Sequence, residues 1–151
     1  MELLVFIGLQ ASGKSTFFRE RFAATHEHIS KDLLRNENPN RRQARLIQKA
    51  GHSAVVDNTN PIVEDRRLLI ELGRKNGARI VGYYFDASVR DCLRRNAGRE
   101  GMARVPDVAI FATAKKLVTP SDSEDFDGLF RVRVTDDSTF EVHSVSGPES
   151  P

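Results

Sequence analysis

Hydrophobic positions come in short bursts along this chain, and their spacing predicts alternating strands and helices. Leu3, Leu4, Val5, Phe6 and Ile7 run without interruption, the pattern of a parallel strand buried on both faces. A polar, glycine-bearing stretch follows, and then Phe17, Phe18 and Phe22 mark the inner side of a helix from Lys14 to about Ala23. A short strand is expected near Glu27 to Ser30. Asn38 and Pro39 open a helix with a narrow stripe of Ala44, Ile47 and Ala50, and Gly51 stops it. Ser53 to Asp57 reads as the next buried strand. Asn60 as a cap and Pro61 as the first helical residue start a helix that buries Val63, Leu69 and Leu72 and ends at Gly77. Arg79 to Phe85 is rich in β-branched and aromatic residues, as strands are. A helix from about Ser88 buries Val89, Cys92 and Leu93, and another after Val105-Pro106 points Ile110, Phe111, Ala114 and Leu117 inward. Phe130, Val132 and Val134 alternate with Arg131 and Arg133, the period of a strand, and Phe140 with Val142 suggests a last edge strand. The alternation predicts an α/β fold of three layers, with a central, mostly parallel sheet, helices on both faces and right-handed crossovers.

Composition narrows this picture only a little. With 151 residues, 39% hydrophobic and 29% charged, the chain is sized for one domain with a real core. The expected domain runs over residues 1–143, with a lid at about 94–104, and a Ser-, Pro- and Gly-rich tail over 144–151 is expected to fray. A net charge of +2 gives no general basic footprint for nucleic acid, so any such surface would have to be local. The single cysteine, Cys92, rules out an internal disulfide and suits a reducing compartment. On the inner face of its helix it is expected to be a small core residue rather than a nucleophile. A core strand at the very start argues against a signal peptide, and five apolar residues are far too few to span a bilayer. The expectation is a cytoplasmic protein without a membrane segment.

The chemistry begins where the first strand ends. Gly8-Leu9-Gln10-Ala11-Ser12-Gly13-Lys14-Ser15-Thr16 fits G-x-x-x-x-G-K-[ST], the phosphate-binding P-loop, in its proper place between strand and helix. Glycines let the backbone wrap close to a polyphosphate. The N–H groups of Gly8, Gln10, Ala11, Ser12, Gly13, Lys14, Ser15 and Thr16 can then form a nest at a helix N-terminus. Lys14 should reach the β- and γ-phosphates of ATP or another nucleoside triphosphate, and the Ser15 hydroxyl should sit on Mg²⁺. Asp57 ends its strand as a Walker B acid does and would hold Mg²⁺ directly or through water.

Further candidates lie at the carboxyl ends of strands, where ligands bind in α/β sheets. Asp32 would lie across the cleft from the phosphate loop, with Arg35 one turn later on the same side. A helix cap by Ser30 or Asp32 is the alternative for this stretch. Asn58, Thr59 and Asn60 either contact substrate or only shape a turn. Arg41, Arg42, Arg45 and Lys49 form a basic face that is either solvated or meets a polyanion. Arg95 and Arg99, with Gly98 between them and Gly101 after them, suit a mobile lid whose guanidinium groups stabilise a transferring phosphoryl group. A solvated helix end is the other reading.

A switch GTPase needs an N-K-x-D segment, and the sequence has none. Asp125-Phe126-Asp127-Gly128 fits D-x-x-G but precedes the last strands instead of ending the one with the water-activating machinery. A small phosphotransferase remains. The chain resembles the kinase domain of the polynucleotide 5′-kinases, the end-healing enzymes of phage and bacteria and the animal polynucleotide kinase-phosphatases. The likeness rests, in order, on Gly8 to Thr16, Ile29-Ser30-Lys31-Asp32-Leu33-Leu34-Arg35, Val55-Val56-Asp57-Asn58-Thr59-Asn60-Pro61 and Gly82-Tyr83-Tyr84-Phe85-Asp86. It continues through Arg95-Asn96 to Arg99, Val105-Pro106 and Pro120-Ser121 to Phe126-Asp127.

The resemblance implies an ATP-dependent, Mg²⁺-requiring kinase of 5′-hydroxyl ends of DNA or RNA. It implies Asp32 as the general base on the 5′-hydroxyl and Arg35 on the acceptor's neighbouring phosphate. Arg95 and Arg99 would then lie on the donor phosphates, and Asp57 to Asn60 around the acceptor pocket. The bifunctional members add a phosphatase domain with a D-x-D-x-[TV] motif, absent here, so the expected activity is kinase only. Related folds phosphorylate small molecules, including nucleotide sugars in the zeta-toxin group, and acceptor choice lives in loops. A metabolite kinase and a nucleotide-dependent binding module are therefore the alternative readings.

Overall fold

The structure is a computed structural model that describes residues 1–30 and 52–145. Its described elements are, in chain order, β1 (Glu2–Ile7), α1 (Lys14–Arg21), β2 (Glu27–Ile29), β3 (Ala54–Asp57), α2 (Val63–Lys75) and β4 (Arg79–Phe85). After these come α3 (Val89–Ala97), a 3₁₀ turn (Gly101–Ala103), α4 (Asp107–Lys116), a second 3₁₀ turn (Asp122–Glu124), β5 (Gly128–Val134) and β6 (Phe140–Ser144). The described strands make one six-stranded sheet in the order β2-β3-β1-β4-β5-β6. β1 lies in the middle, parallel to β3 on one side, with Phe6 opposite Asp57, and to β4 on the other, with Ile7 opposite Tyr84. Among the described strands only the edge strand β6 runs antiparallel. Every other strand therefore ends at the same edge of the sheet, and the loops that leave β1, β3 and β4 gather there.

The continuous apolar run of β1 divides between two cores because side chains alternate across a strand. Leu3, Val5 and Ile7 join Val56 and Ile80 under Leu69 and Ile70 of α2. Leu4 and Phe6 join Val55, Val81, Phe85 and Val132 under Phe17 and Phe18 of α1. A third, smaller cluster of Leu9, Ala11, Cys92 and Ile110 seats the phosphate loop on α3 and α4. The fold is the three-layer α/β arrangement that the hydrophobic pattern predicts.

Several local expectations are corrected. Phe111, expected to point inward, is 53% exposed, and Val63 is 42% exposed. α4 packs mainly on α3, so its buried line narrows to Ile110 and Thr113. α2 starts at Val63 after Ile62, two residues later than the Asn60-Pro61 signal suggested. Asn60 is no cap: it takes φ 42°, and its side chain turns back to β1. The helix expected over residues 38–50, the basic face of Arg41, Arg42, Arg45 and Lys49, and the candidates Asp32 and Arg35 lie outside the described residues, as do residues 146–151.

Candidate active site

β1 delivers the chain into residues 8–13, which turn back over the sheet edge and enter α1. Two glycines are required by the space available. A Cβ on Gly8 would stand 3.0 Å from the Phe85 Cβ and 3.1 Å from the Phe85 carbonyl oxygen. Gly13, the residue before α1, has φ 103°, and a Cβ there would meet the Phe140 ring at 3.2 Å. The second contact shows that the edge strand β6 packs on the phosphate loop. Phe140 belongs to an aromatic cluster with Phe17, whose ring centroid lies 5.0 Å away, and with Phe6 and Phe85 beyond it.

The Lys14 ammonium is buried and donates to the Gly8 and Leu9 carbonyls at 3.0 and 2.6 Å. This folds the side chain along the inside of its own loop. Ser15, one residue on, donates its hydroxyl to Asp57 Oδ2 at 2.9 Å. The two oxygen ligands proposed for Mg²⁺ therefore touch, although they lie 42 residues apart in sequence. Hard oxygen donors in contact are the right chemistry for that ion, which takes few protein ligands and completes its shell with phosphate and water.

Asp57 has a second partner that the sequence did not reveal. His28 of β2 donates from Nε2 to the same Oδ2 at 2.8 Å. Its ring is held by stacking on Phe18, with centroids 4.2 Å apart and an 18° angle between planes. The period-2 pattern of β2 puts His28 on the face of α1, but only the pairing of β2 with β3 brings it to Asp57.

The segment after β3 is tied to the loop after β1. Gly8 N–H donates to the Thr59 carbonyl at 3.0 Å, and the Asn60 side-chain amide donates to the Phe6 carbonyl at 2.8 Å. Asn58, Thr59 and Asn60 thus form one wall of a cleft of about 600 Å³, with Lys14 and Ser15 at its base and Arg99 and Val105 opposite. Arg19 and Asp65 also line it, and neither was singled out from the sequence.

On the α3 side, Arg95 extends to the phosphate loop itself, with a long contact of 3.4 Å from its guanidinium to the Ala11 carbonyl. Arg99 faces the cleft and donates to the Ala103 carbonyl at 3.2 Å. Arg94 turns away and pairs with Asp91. The turn carrying Arg99 is clasped by Asn96, which is fully buried. Asn96 donates to the Val105 carbonyl at 2.7 Å and accepts from the Val105 N–H at 3.0 Å. Gln10 is anchored to α4 by a 3.0 Å bond to the Thr113 hydroxyl. Cys92 lies in the core beneath this region, and burial pushes its thiol up from the ordinary range against the pull of nearby Arg95 and Lys14. It is a packing residue, as its position on α3 suggested.

A family model described as an AAA domain matches residues 37–120, more than half of the chain and starting after the phosphate loop. The bifunctional polynucleotide phosphatase/kinase of Schizosaccharomyces pombe is 24% identical over 135 residues, which is 87% of this chain. The chain spans about a third of the length of that curated relative, 33%. Among solved structures, a gluconokinase from Sinorhizobium meliloti 1021 aligns with a TM-score of 0.65 at 18% identity, over 89% of this chain and 83% of the other. Kti12 of Chaetomium thermophilum, in complex with ADP-AlF3, gives a TM-score of 0.65 at 16% identity over 90% and 92%. The AvrRxo1-ORF1:AvrRxo1-ORF2 complex with sulphate ions gives 0.76 at 13% identity, over 98% of this chain and 59% of that one. At such identities the likeness is one of fold, and the fold is that of the P-loop kinases. No described helix is long and apolar enough to cross a membrane.

Proposed function

The chain belongs to this family of AAA domains, and from that premise we propose that it is an ATP-dependent kinase of polynucleotide 5′-hydroxyl ends. The observation that carries the reading is the convergence of Lys14, Ser15, Asp57, Arg95 and Arg99 around the start of α1. These are the groups that hold, neutralise and orient a triphosphate. The ordered motifs shared with the polynucleotide 5′-kinases, and the relative from Schizosaccharomyces pombe, support the choice of acceptor. On this reading residues 1–143 are the kinase domain and 94–104 its lid, and the single buried thiol suits the cytoplasm.

The backbone amides of residues 10–16 would bind the β- and γ-phosphates of ATP, with Lys14 exchanging its loop carbonyls for phosphate oxygens; the Gly8 N–H, expected in the same nest, is instead committed to the Thr59 carbonyl. Ser15 and Asp57 would hold Mg²⁺, which when bound neutralises charge on the donor phosphates. Asn58 to Asn60 would orient the acceptor sugar. Asp32 would accept the proton of the 5′-hydroxyl as its oxygen attacks phosphorus in line. The new P–O bond forms as the bond to the β-phosphate oxygen breaks, and ADP leaves. Arg95 and Arg99 would stabilise charge on the transferring group, and Arg35 the phosphate next to the attacked end. Catalysis of this kind is positioning and electrostatics.

The test is transfer of labelled γ-phosphate from ATP to 5′-hydroxyl DNA and RNA oligonucleotides with Mg²⁺. Lys14→Ala and Asp32→Ala serve as controls. Transfer that both substitutions abolish, while Asp32→Ala still binds ATP, is the expected result. An acceptor nucleic acid should bind more weakly as salt rises. Bound ATP with no transfer to any oligonucleotide would move the assignment to a small-molecule acceptor.

A further inference from the structure

We propose that Arg66, gripped by Glu124, is a positioning residue for the acceptor side of the cleft. The proposal rests on the reading above that Asp57 to Asn60 face the acceptor. Arg66 is wholly buried, the bulkiest side chain to be so among the described residues, and it belongs to no part of the site inferred from sequence. Its Nε and Nη2 donate to the two carboxylate oxygens of Glu124 at 2.7 and 3.0 Å. That fork satisfies the ion pair. The remaining amino group, Nη1, leaves the pair and donates to the Asn60 carbonyl at 2.9 Å.

The recipient is the residue in need of support. Asn60 has φ 42°, a conformation that side-chain-bearing residues adopt rarely and keep only when their surroundings dictate it. Its own amide is committed to the Phe6 carbonyl, and the residue before it, Thr59, accepts the Gly8 N–H. A shift of Asn60 therefore moves the acceptor wall and the first residue of the phosphate loop together. Glu124 is itself fixed, because its Oε2 also accepts from the Ser121 N–H at 3.0 Å in a capping box. The Ser121 to Glu124 turn, within the shared Pro120 to Asp127 stretch, thus acts as a strut behind the cleft.

A buried ion pair is not needed for stability, since an apolar pair of similar volume commonly replaces one without loss. That gives a clean test with the double variant Arg66→Met/Glu124→Leu. It keeps the packing and removes the bond to Asn60, while Pro61 remains tied by its carbonyl to the Val118 N–H at 2.8 Å. The expected result is a thermal midpoint lower by a few degrees, because the Asn60 carbonyl and the Ser121 N–H each lose a partner, and ATP affinity within about twofold. The KM for a 5′-hydroxyl oligonucleotide should rise roughly tenfold, from the loss of one charge-assisted hydrogen bond. Amide exchange at Gly8 should quicken by a similar factor, while β1 and β3 elsewhere keep their protection. A purely structural pair predicts no change in either readout, and that result overturns the proposal.

The exchange measurement needs no catalysis. If the unaltered chain phosphorylates no oligonucleotide, the polynucleotide reading fails, and the Gly8 amide still decides the positioning role. Glu124→Gln, which keeps the shape and loosens the fork, is the second probe. It should show the same pattern at about threefold, and unaltered KM and exchange there count against the proposal equally.

Discussion

Asn96 clasps the turn between α3 and α4, and its removal has a size that can be worked out. Asn96→Ala deletes the donor to the Val105 carbonyl, the acceptor for the Val105 N–H and a longer contact of 3.3 Å to Asp107. Two backbone groups lose their partner. If they stayed dry, each would cost about 1–3 kcal/mol. Val105 is only half-buried, so water can reach both groups once the turn swings out, and each loss then falls to about 0.5–1.5 kcal/mol. The second regime should hold, giving a total near 2 kcal/mol. With a urea slope of about 1–3 kcal/mol per molar for a chain of this size, the unfolding midpoint should drop by about 1 M. The damage should also be local. Arg99 and Arg104 flank the released turn, so native-state trypsin should cut there much faster, beyond the rise at other sites that lower global stability explains. Asn96→Asp keeps the acceptor but sets a carboxylate against the Val105 carbonyl and beside Asp107, and should fare no better. An unmoved midpoint together with unchanged cleavage at Arg99 and Arg104 would refute the clasp.

Gly13→Ala should leave the fold intact but weaken ATP binding at least tenfold, because a side chain at φ 103° costs about 1–2 kcal/mol and the new Cβ meets Phe140 at 3.2 Å; calorimetric titration with ATP measures it. Cys92 should resist iodoacetamide at pH 7 in the native protein and react at once in denaturant, because it is fully buried and burial raises its thiol; fast native labelling would contradict the core placement. Asp127 is held below the ordinary carboxylate range, first by its hydrogen bond from Arg74 and then by the Ile80 N–H. A depressed folded pKa stabilises above the unfolded value of about 3.9 and is lost as pH falls through the folded one. The stability gap between the unaltered chain and Asp127→Asn should therefore be constant above about pH 5 and close as the pH drops below 4.

The strands β1, β3, β4 and β5 and the phosphate loop were legible in the sequence because each is written in consecutive residues. An unbroken apolar run, a period of two, and glycines at fixed offsets before a lysine are local signals, and they hold whatever the rest of the chain does. The contact between Ser15 and Asp57 was inferable too, because parallel strands must end at one edge. Local signals misled where a residue's surroundings decide its role. Asn60 before Pro61 looks like a cap, yet the chain turns at φ 42° so that its amide can reach Phe6. Phe111 fits an inward stripe, yet among the described residues α4 packs mainly on α3 and leaves that ring 53% exposed. What the tertiary structure alone decided is the second layer of the site: His28 on Asp57, Asn96 on Val105, and Arg66 between Glu124 and Asn60. A polar side chain in isolation says only that it needs a partner when buried. Which partner it finds depends on strand order and helix crossings, and these are settled by the packing of the whole sheet rather than by any stretch of sequence around the residue.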